Sequence, residues 1–141
     1  MAKMQVELVT AEERKVSGEA DFVLAPGVDG ELGVLPGHIP LMTPLRPGEV
    51  LVRNDGREEF LAVSGGFLQV LPGKVVILAD AAERAEEIDE QRAEEARKRA
   101  QEAMSRKDLS PEESIAMAQA LERAMLRLRV AEVRRRRRGN Q

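Results

Sequence analysis

The uneven distribution of backbone breakers constrains this chain more than any other feature. Ten of its 11 glycines and six of its seven prolines lie in residues 1–80; only Gly139 and Pro111 lie beyond. Glycine and proline disfavour helix interiors and favour frequent turns. The first part therefore reads as a β domain, and residues 81–141 read as helical. Charge divides the same way. Residues 1–80 carry 7 Lys/Arg against 12 Asp/Glu, and residues 81–141 carry 15 against 13. With 141 residues in all, one domain with a helical appendage is the expected organisation.

Short apolar stretches separated by turn signals fill the first part. Val6, Leu8 and Val9 predict one strand, and Phe22-Val23-Leu24 predicts another. Val50-Leu51-Val52, then Asn54-Asp55-Gly56, then Phe60 to Val63 read as a hairpin. Leu68 to Leu71 and Val75 to Leu78 flank Pro72-Gly73 as a second hairpin. No helix-length segment separates these strands, so parallel crossovers are excluded and an antiparallel sandwich or barrel is expected.

The segment Gly30 to Leu45 holds Pro36, Pro40 and Pro44 among Leu32, Val34, Leu35, Ile39, Leu41 and Met42. It admits two readings: an irregular edge strand on the sandwich, or an exposed apolar contact surface. Its glycines make no phosphate loop, because no Gly-Lys-Ser/Thr and no helix follow.

The helical part predicts two helices. Asp80 with Glu83 fits a capping box for the first, and Ser110-Pro111 with Glu113 fits the start of the second. The short break between them predicts an antiparallel hairpin. The second helix has an apolar stripe of Met117, Leu121, Ala124, Leu128 and Ala131. From residue 81 to 105 there are seven alanines but only Ile88 and Met104 as large apolar residues. Such a helix forms readily and docks weakly. Its stripe reads Ala82, Ala85, Asp89, Arg92, Ala96, Arg99, Ala103, and Arg123 and Arg127 share a face of the second helix. Folding the hairpin collects these arginines around one carboxylate. That suits an anion between the helices, although Glu94/Lys98 and Glu95/Arg99 also fit a solvated helix surface. The run Arg134 to Arg138 reads as a solvated end, as a contact for an acidic protein patch, or as a nucleic-acid contact.

Other classes have little material. The chain has no cysteine, one histidine (His38), no Trp, no Tyr and three Phe. Thiol chemistry is excluded, a histidine metal cluster or Ser-His-Asp triad is not expected, and base stacking lacks platforms. The formal charge of -3 argues against nucleic acid as a partner. No apolar run reaches the roughly 18 residues of a membrane span, so no insertion is expected. A Glu31/His38 acid–base pair is the one enzymatic constellation on offer, with no nucleophile or cofactor loop beside it.

Several stretches, in order, carry a family resemblance: Gly30-Glu31-Leu32-Gly33-Val34-Leu35-Pro36-Gly37-His38-Ile39-Pro40-Leu41, then Val63-Ser64-Gly65-Gly66-Phe67-Leu68, then Leu78 to Ala85, then Arg123-Ala124-Met125-Leu126-Arg127-Leu128. Over nearly its whole length the chain resembles the epsilon subunits of the bacterial F-type, proton-translocating ATP synthases. The resemblance implies an α+β fold: an antiparallel β-sandwich of about ten strands (residues 1–80), then a two-helix hairpin (81–141). It implies a non-catalytic rotor subunit of the central stalk, peripheral at the cytoplasmic face of the bacterial membrane. Glu31, His38, Ile39, Leu41 and Met42 would contact the gamma subunit and the ring of c subunits. The hairpin would switch between a folded arrangement and an extended one that meets the beta and alpha subunits and blocks ATP hydrolysis. Some relatives bind ATP through Ile/Leu-Asp-x-x-Arg-Ala. Ile88-Asp89-Glu90-Gln91-Arg92-Ala93 fits that pattern, and Glu83, Arg99, Arg123 and Arg127 fit its further positions. ATP is then the implied regulatory ligand, with no cofactor required. The alternative is an ATP-sensing module with little inhibitory role.

Overall fold

The computed structural model describes residues 2–139 of the chain. Ten strands come first: β1 Met4–Val9, β2 Arg14–Ala20, β3 Phe22–Gly27, β4 Gly30–Val34, β5 Leu41–Leu45, β6 Gly48–Asn54, β7 Arg57–Val63, β8 Gly66–Leu71, β9 Lys74–Ala79 and β10 Ala82–Arg84. One layer runs β10-β7-β6-β3, with β4 on the other side of β3, and the second runs β5-β8-β9-β1-β2. The layers join where Gly27 of β3 pairs with Leu45 of β5. All the described pairings are antiparallel except β1 with β9. Those two strands are distant in sequence, so no tight turn dictates their direction.

The core follows from alternation. Met4, Val6 and Leu8 on β1, Val50 and Val52 on β6, Leu61 and Val63 on β7, Leu68 and Val70 on β8, and Val75 and Ile77 on β9 all point inward and are buried. Both expected hairpins are present: Asn54 pairs with Arg57 across Asp55-Gly56, and Leu71 with Lys74 across Pro72-Gly73. Asp55 adopts a left-handed φ of 52°, as the two-residue turn requires. At Gly66, φ is +135° and a Cβ would lie 2.0 Å from the carbonyl oxygen of Leu78; only glycine lets β8 approach β9 there.

Glycine- and proline-rich residues 30–45 divide into two strands. β4 is an edge strand, whereas β5 ends the second layer, paired with β8 along its length and with β3 at Leu45. The first helix corrects an expectation. Asp80 caps nothing; Ala82–Arg84 pair with Leu61, Ala62 and Val63 of β7, because that strand edge offers hydrogen bonds that a helix start cannot. The Arg84 Nε also donates to Glu59 Oε1 at 2.7 Å.

The contacts divide after Arg84. From Ala85 onward come one 3-10 turn (Ala85–Glu87), α1 Glu90–Met104 and α2 Pro111–Gly139. Asp89, not Asp80, is the cap of α1: its Oδ1 accepts the backbone N–H of Arg92 at 3.1 Å. Ser110 caps α2 as expected, accepting the N–H of Glu113 at 3.1 Å. Arg135, near the end of α2, pairs with Glu90 at the start of α1 at 2.9 Å, so the helices run antiparallel. α2 continues through the arginine run to Gly139; the Arg138 side chain lies outside the described residues.

Candidate functional site

The first candidate surface is built at the β4–β5 connection. Leu35-Pro36-Gly37-His38 forms a turn closed by the His38 N–H donating to the Leu35 carbonyl at 3.0 Å. Gly37 has φ +87°, and Pro-Gly at the two central positions fits a type II turn. The His38 ring Nδ1 lies 2.7 Å from the Ile39 carbonyl oxygen; with its proton there it donates to that oxygen, which fixes the ring against the backbone. The turn leaves large apolar groups in solvent. Leu35 is 59% exposed, Ile39 74% and Met42 63%. Glu31 is exposed on β4, while Leu41 is half-buried at the start of β5. Of the five expected contact residues, Glu31, Ile39 and Met42 are exposed; Leu41 packs partly on the core.

The exposed apolar surface is wider than the sequence indicates. Pro44 of β5 pairs with Phe67 of β8, and Phe67 pairs with Leu78 of β9. Phe67 is 50% and Leu78 54% exposed. The signal was available: both sit one residue out of phase with the buried set, in positions where alternation calls for polar residues.

The second candidate lies on the hairpin. Its motif has a local structural account. Ile88 precedes the cap and is buried, Asp89 is the cap, and Ala93, four positions into the helix, is buried. This is the arrangement of a hydrophobic staple plus an N-cap. Of the four specified residues of the motif, the Arg92 side chain alone has no part in starting the helix. The apolar seam of α1 is Ala93, Ala96, Ala100 and Ala103, with Ala93 and Ala100 buried. The expected stripe mixed alanine with Asp89, Arg92 and Arg99 because it was counted from a helix starting near residue 81. Counted from Asp89, those residues flank the seam. On α2 the buried residues include Ala124 and Ala131 of the expected stripe, and also Leu126 and Val130 on its far side.

Arg92, Arg99, Arg123 and Arg127 are all exposed. Helix geometry puts each roughly a quarter-turn from its own alanine seam, in the same rotational sense on α1 and α2. In an antiparallel pair, the same sense means the same side. With Arg135 beside Glu90, Arg99 comes about level with Arg127, and Arg92 lies roughly 10 Å further along α1. The hairpin thus gathers four guanidinium groups on one side, a set able to grip several phosphate oxygens. Glu83 lies on β10, opposite Ala62 of β7.

Both parts of the chain match one family. The ATP synthase delta/epsilon chain β-sandwich domain matches residues 3–85, and the long α-helix domain of the same family matches residues 86–132. The chain belongs to the ATP synthase delta/epsilon chain family. The ATP synthase epsilon chain of Dehalococcoides mccartyi is 51% identical over 135 residues, covering 96% of each chain. That of Herpetosiphon aurantiacus is 52% identical over 135 residues, covering 95% of this chain and 98% of its own. Among solved structures, a chain of the Euglena gracilis mitochondrial ATP synthase superposes with a TM-score of 0.77 at 27% identity, over 86% of this chain and 77% of that one. A chain of the Tetrahymena thermophila mitochondrial ATP synthase central stalk and c-ring shares the fold, with a TM-score of 0.56 at 16% identity over 92% and 97% of the two chains. No helix among the described residues is long and apolar enough to cross a membrane.

Proposed function

We propose that this chain is a non-catalytic central-stalk subunit of an F-type ATP synthase, at the cytoplasmic face of the membrane, that couples rotation to proton transport and restrains ATP hydrolysis through its hairpin. The match of both halves to one family carries the assignment. The sandwich meets the gamma subunit and the c-ring through Glu31, His38, Ile39, Leu41 and Met42. Large apolar groups held in solvent by a fixed turn support a contact surface there. Glu31 and His38 serve that contact rather than acid–base chemistry.

The hairpin restrains hydrolysis by exchanging between a folded position and one extended toward the beta and alpha subunits. Its alanine seam supports this role. Small side chains bury little area, so two packings can lie within a few kcal/mol of each other. The test compares complexes assembled with the full chain and with a chain ending at Arg84. The shorter chain is expected to assemble and to raise ATP hydrolysis; assembly with unchanged hydrolysis would remove the restraining role.

A second reading is favoured by the four arginines on one side of the hairpin: ATP binds the folded position and shifts the population toward it. Isothermal titration of the full chain with ATP, compared with Arg92→Gln and Arg127→Gln, tests this. Binding heats should fall in both variants. Equal heats in all three proteins would remove the nucleotide site.

A further inference from the structure

We propose that the arginine run ending α2 is an electrostatic latch, which closes the hairpin onto its own acidic entry and makes closure depend on ionic strength. The segment entering the hairpin, residues 83–90, holds Glu83, Glu86, Glu87, Asp89 and Glu90 against the single cation Arg84. The segment leaving it holds five consecutive arginines. Arg134 approaches Glu86 at 3.6 Å, and Arg135 pairs with Glu90 at 2.9 Å. Arg136 pairs within its own helix, with Glu132 at 2.7 Å.

Location gives these pairs their leverage. They sit at the end of the hairpin remote from the connecting loop, where nothing covalent holds the helices together. Aligning Arg135 with Glu90 brings Met104, the last residue of α1, level with roughly Leu121. The first turns of α2 therefore run past α1, and Pro111 to Ala116 are all exposed. Only the second half of α2 lies beside α1, whose own seam is alanine. An exposed ion pair alone shifts an equilibrium by only about 1.4- to 5-fold. Two pairs together shift it by about 2- to 30-fold, a large share for a seam to which α1 contributes only alanine methyl groups. The run also needs this neutralisation, because consecutive cations on one helix repel each other. Salt screens exposed pairs and so loosens the latch.

The inference rests on the reading of the hairpin as mobile, but its test reads closure alone. Because the chain lacks cysteine, Gln91→Cys and Arg129→Cys, both at exposed positions, take spin labels cleanly. Pulsed dipolar spectroscopy of the isolated full chain then reports the separation of α1 from α2. Arg134→Gln with Arg135→Gln should raise the open-to-closed ratio about 2- to 30-fold at low salt, and the unsubstituted run should open progressively as salt rises. The swap of Arg134→Glu and Arg135→Glu with Glu86→Arg and Glu90→Arg should restore closure. An open-to-closed ratio indifferent to salt and to the Gln substitutions would overturn the latch, as would failure of the swap to reclose the hairpin. Either result would leave the hydrolysis test of the truncated chain standing.

Discussion

Asp89 is the residue at which helix capping and ligand binding make different predictions. Its Oδ1 accepts the Arg92 N–H at 3.1 Å, and it is exposed. Replacing an N-cap aspartate by alanine costs about 1 kcal/mol, and the lost charge–dipole attraction adds about 0.3–1 kcal/mol. A total near 1.4 kcal/mol corresponds to about a tenfold increase in opening of the first turns of α1. Asp89→Asn keeps the side-chain oxygen and loses only the charge, so it should cost roughly the smaller term alone. Amide hydrogen exchange resolved at Arg92, Ala93 and the following residues measures both. Asp89→Ala should accelerate these amides about tenfold, and Asp89→Asn about two- to fivefold, with the sandwich amides unchanged. Exchange in Asp89→Ala indistinguishable from the parent would refute the cap and return Asp89 to the ligand. The comparison also determines how nucleotide titrations are read: weaker ATP binding in Asp89→Ala but not in Asp89→Asn is a helix-start effect.

Three further outcomes are expected. Gly66→Ala drives a Cβ into the Leu78 carbonyl oxygen and should lower sandwich stability by at least about 2 kcal/mol in urea unfolding; an unchanged midpoint would refute the close approach. The Asp21 carboxyl is held below its ordinary value of 3.8 by the Asp55 backbone N–H and, secondarily, by the Lys3 ammonium. A depressed folded pKa contributes stability above the unfolded value and loses it as pH falls through the folded one. The urea midpoint should therefore drop below about pH 4, and Asp21→Asn should flatten that slope; an equal slope in the variant would contradict it. Ile39→Ser with Met42→Ser should leave the unfolding midpoint nearly unchanged, since both are exposed, yet weaken association with the gamma subunit in a pull-down. Undiminished association would move the contact elsewhere.

Much of this fold is legible locally. Asn54-Asp55-Gly56 and Pro72-Gly73 mark their hairpins because the turn chemistry is confined to two or three residues. β2 is invisible for a physical reason. Of Arg14–Ala20 only Ala20 is buried and only Val16 packs partly on the core, so the strand is held mainly by its ladder to β1. β10 is hidden in another way: Asp80 and Glu83 have capping-box spacing, and what decides against a helix is the free edge of β7, contributed by residues 61–63. That misplaced start propagates into the alanine stripe, which gains its all-alanine form only when counted from Asp89. The arginine run was legible as charge but not as contact, because its acidic partner Glu90 lies 45 residues away. The four arginines of the candidate site were grouped by helix spacing, whereas Glu83 was added to them only by the resemblance.

If ATP holds the hairpin in its folded position, as proposed, the hairpin moves relative to a fixed sandwich under nucleotide control. One distance measurement tests it most directly: a label at Asn54→Cys in the sandwich and another at Arg129→Cys on α2, read in the assembled synthase with and without ATP. Two separations are expected, with populations that shift toward the folded one as ATP is added. A single separation, the same at every ATP concentration, would contradict it.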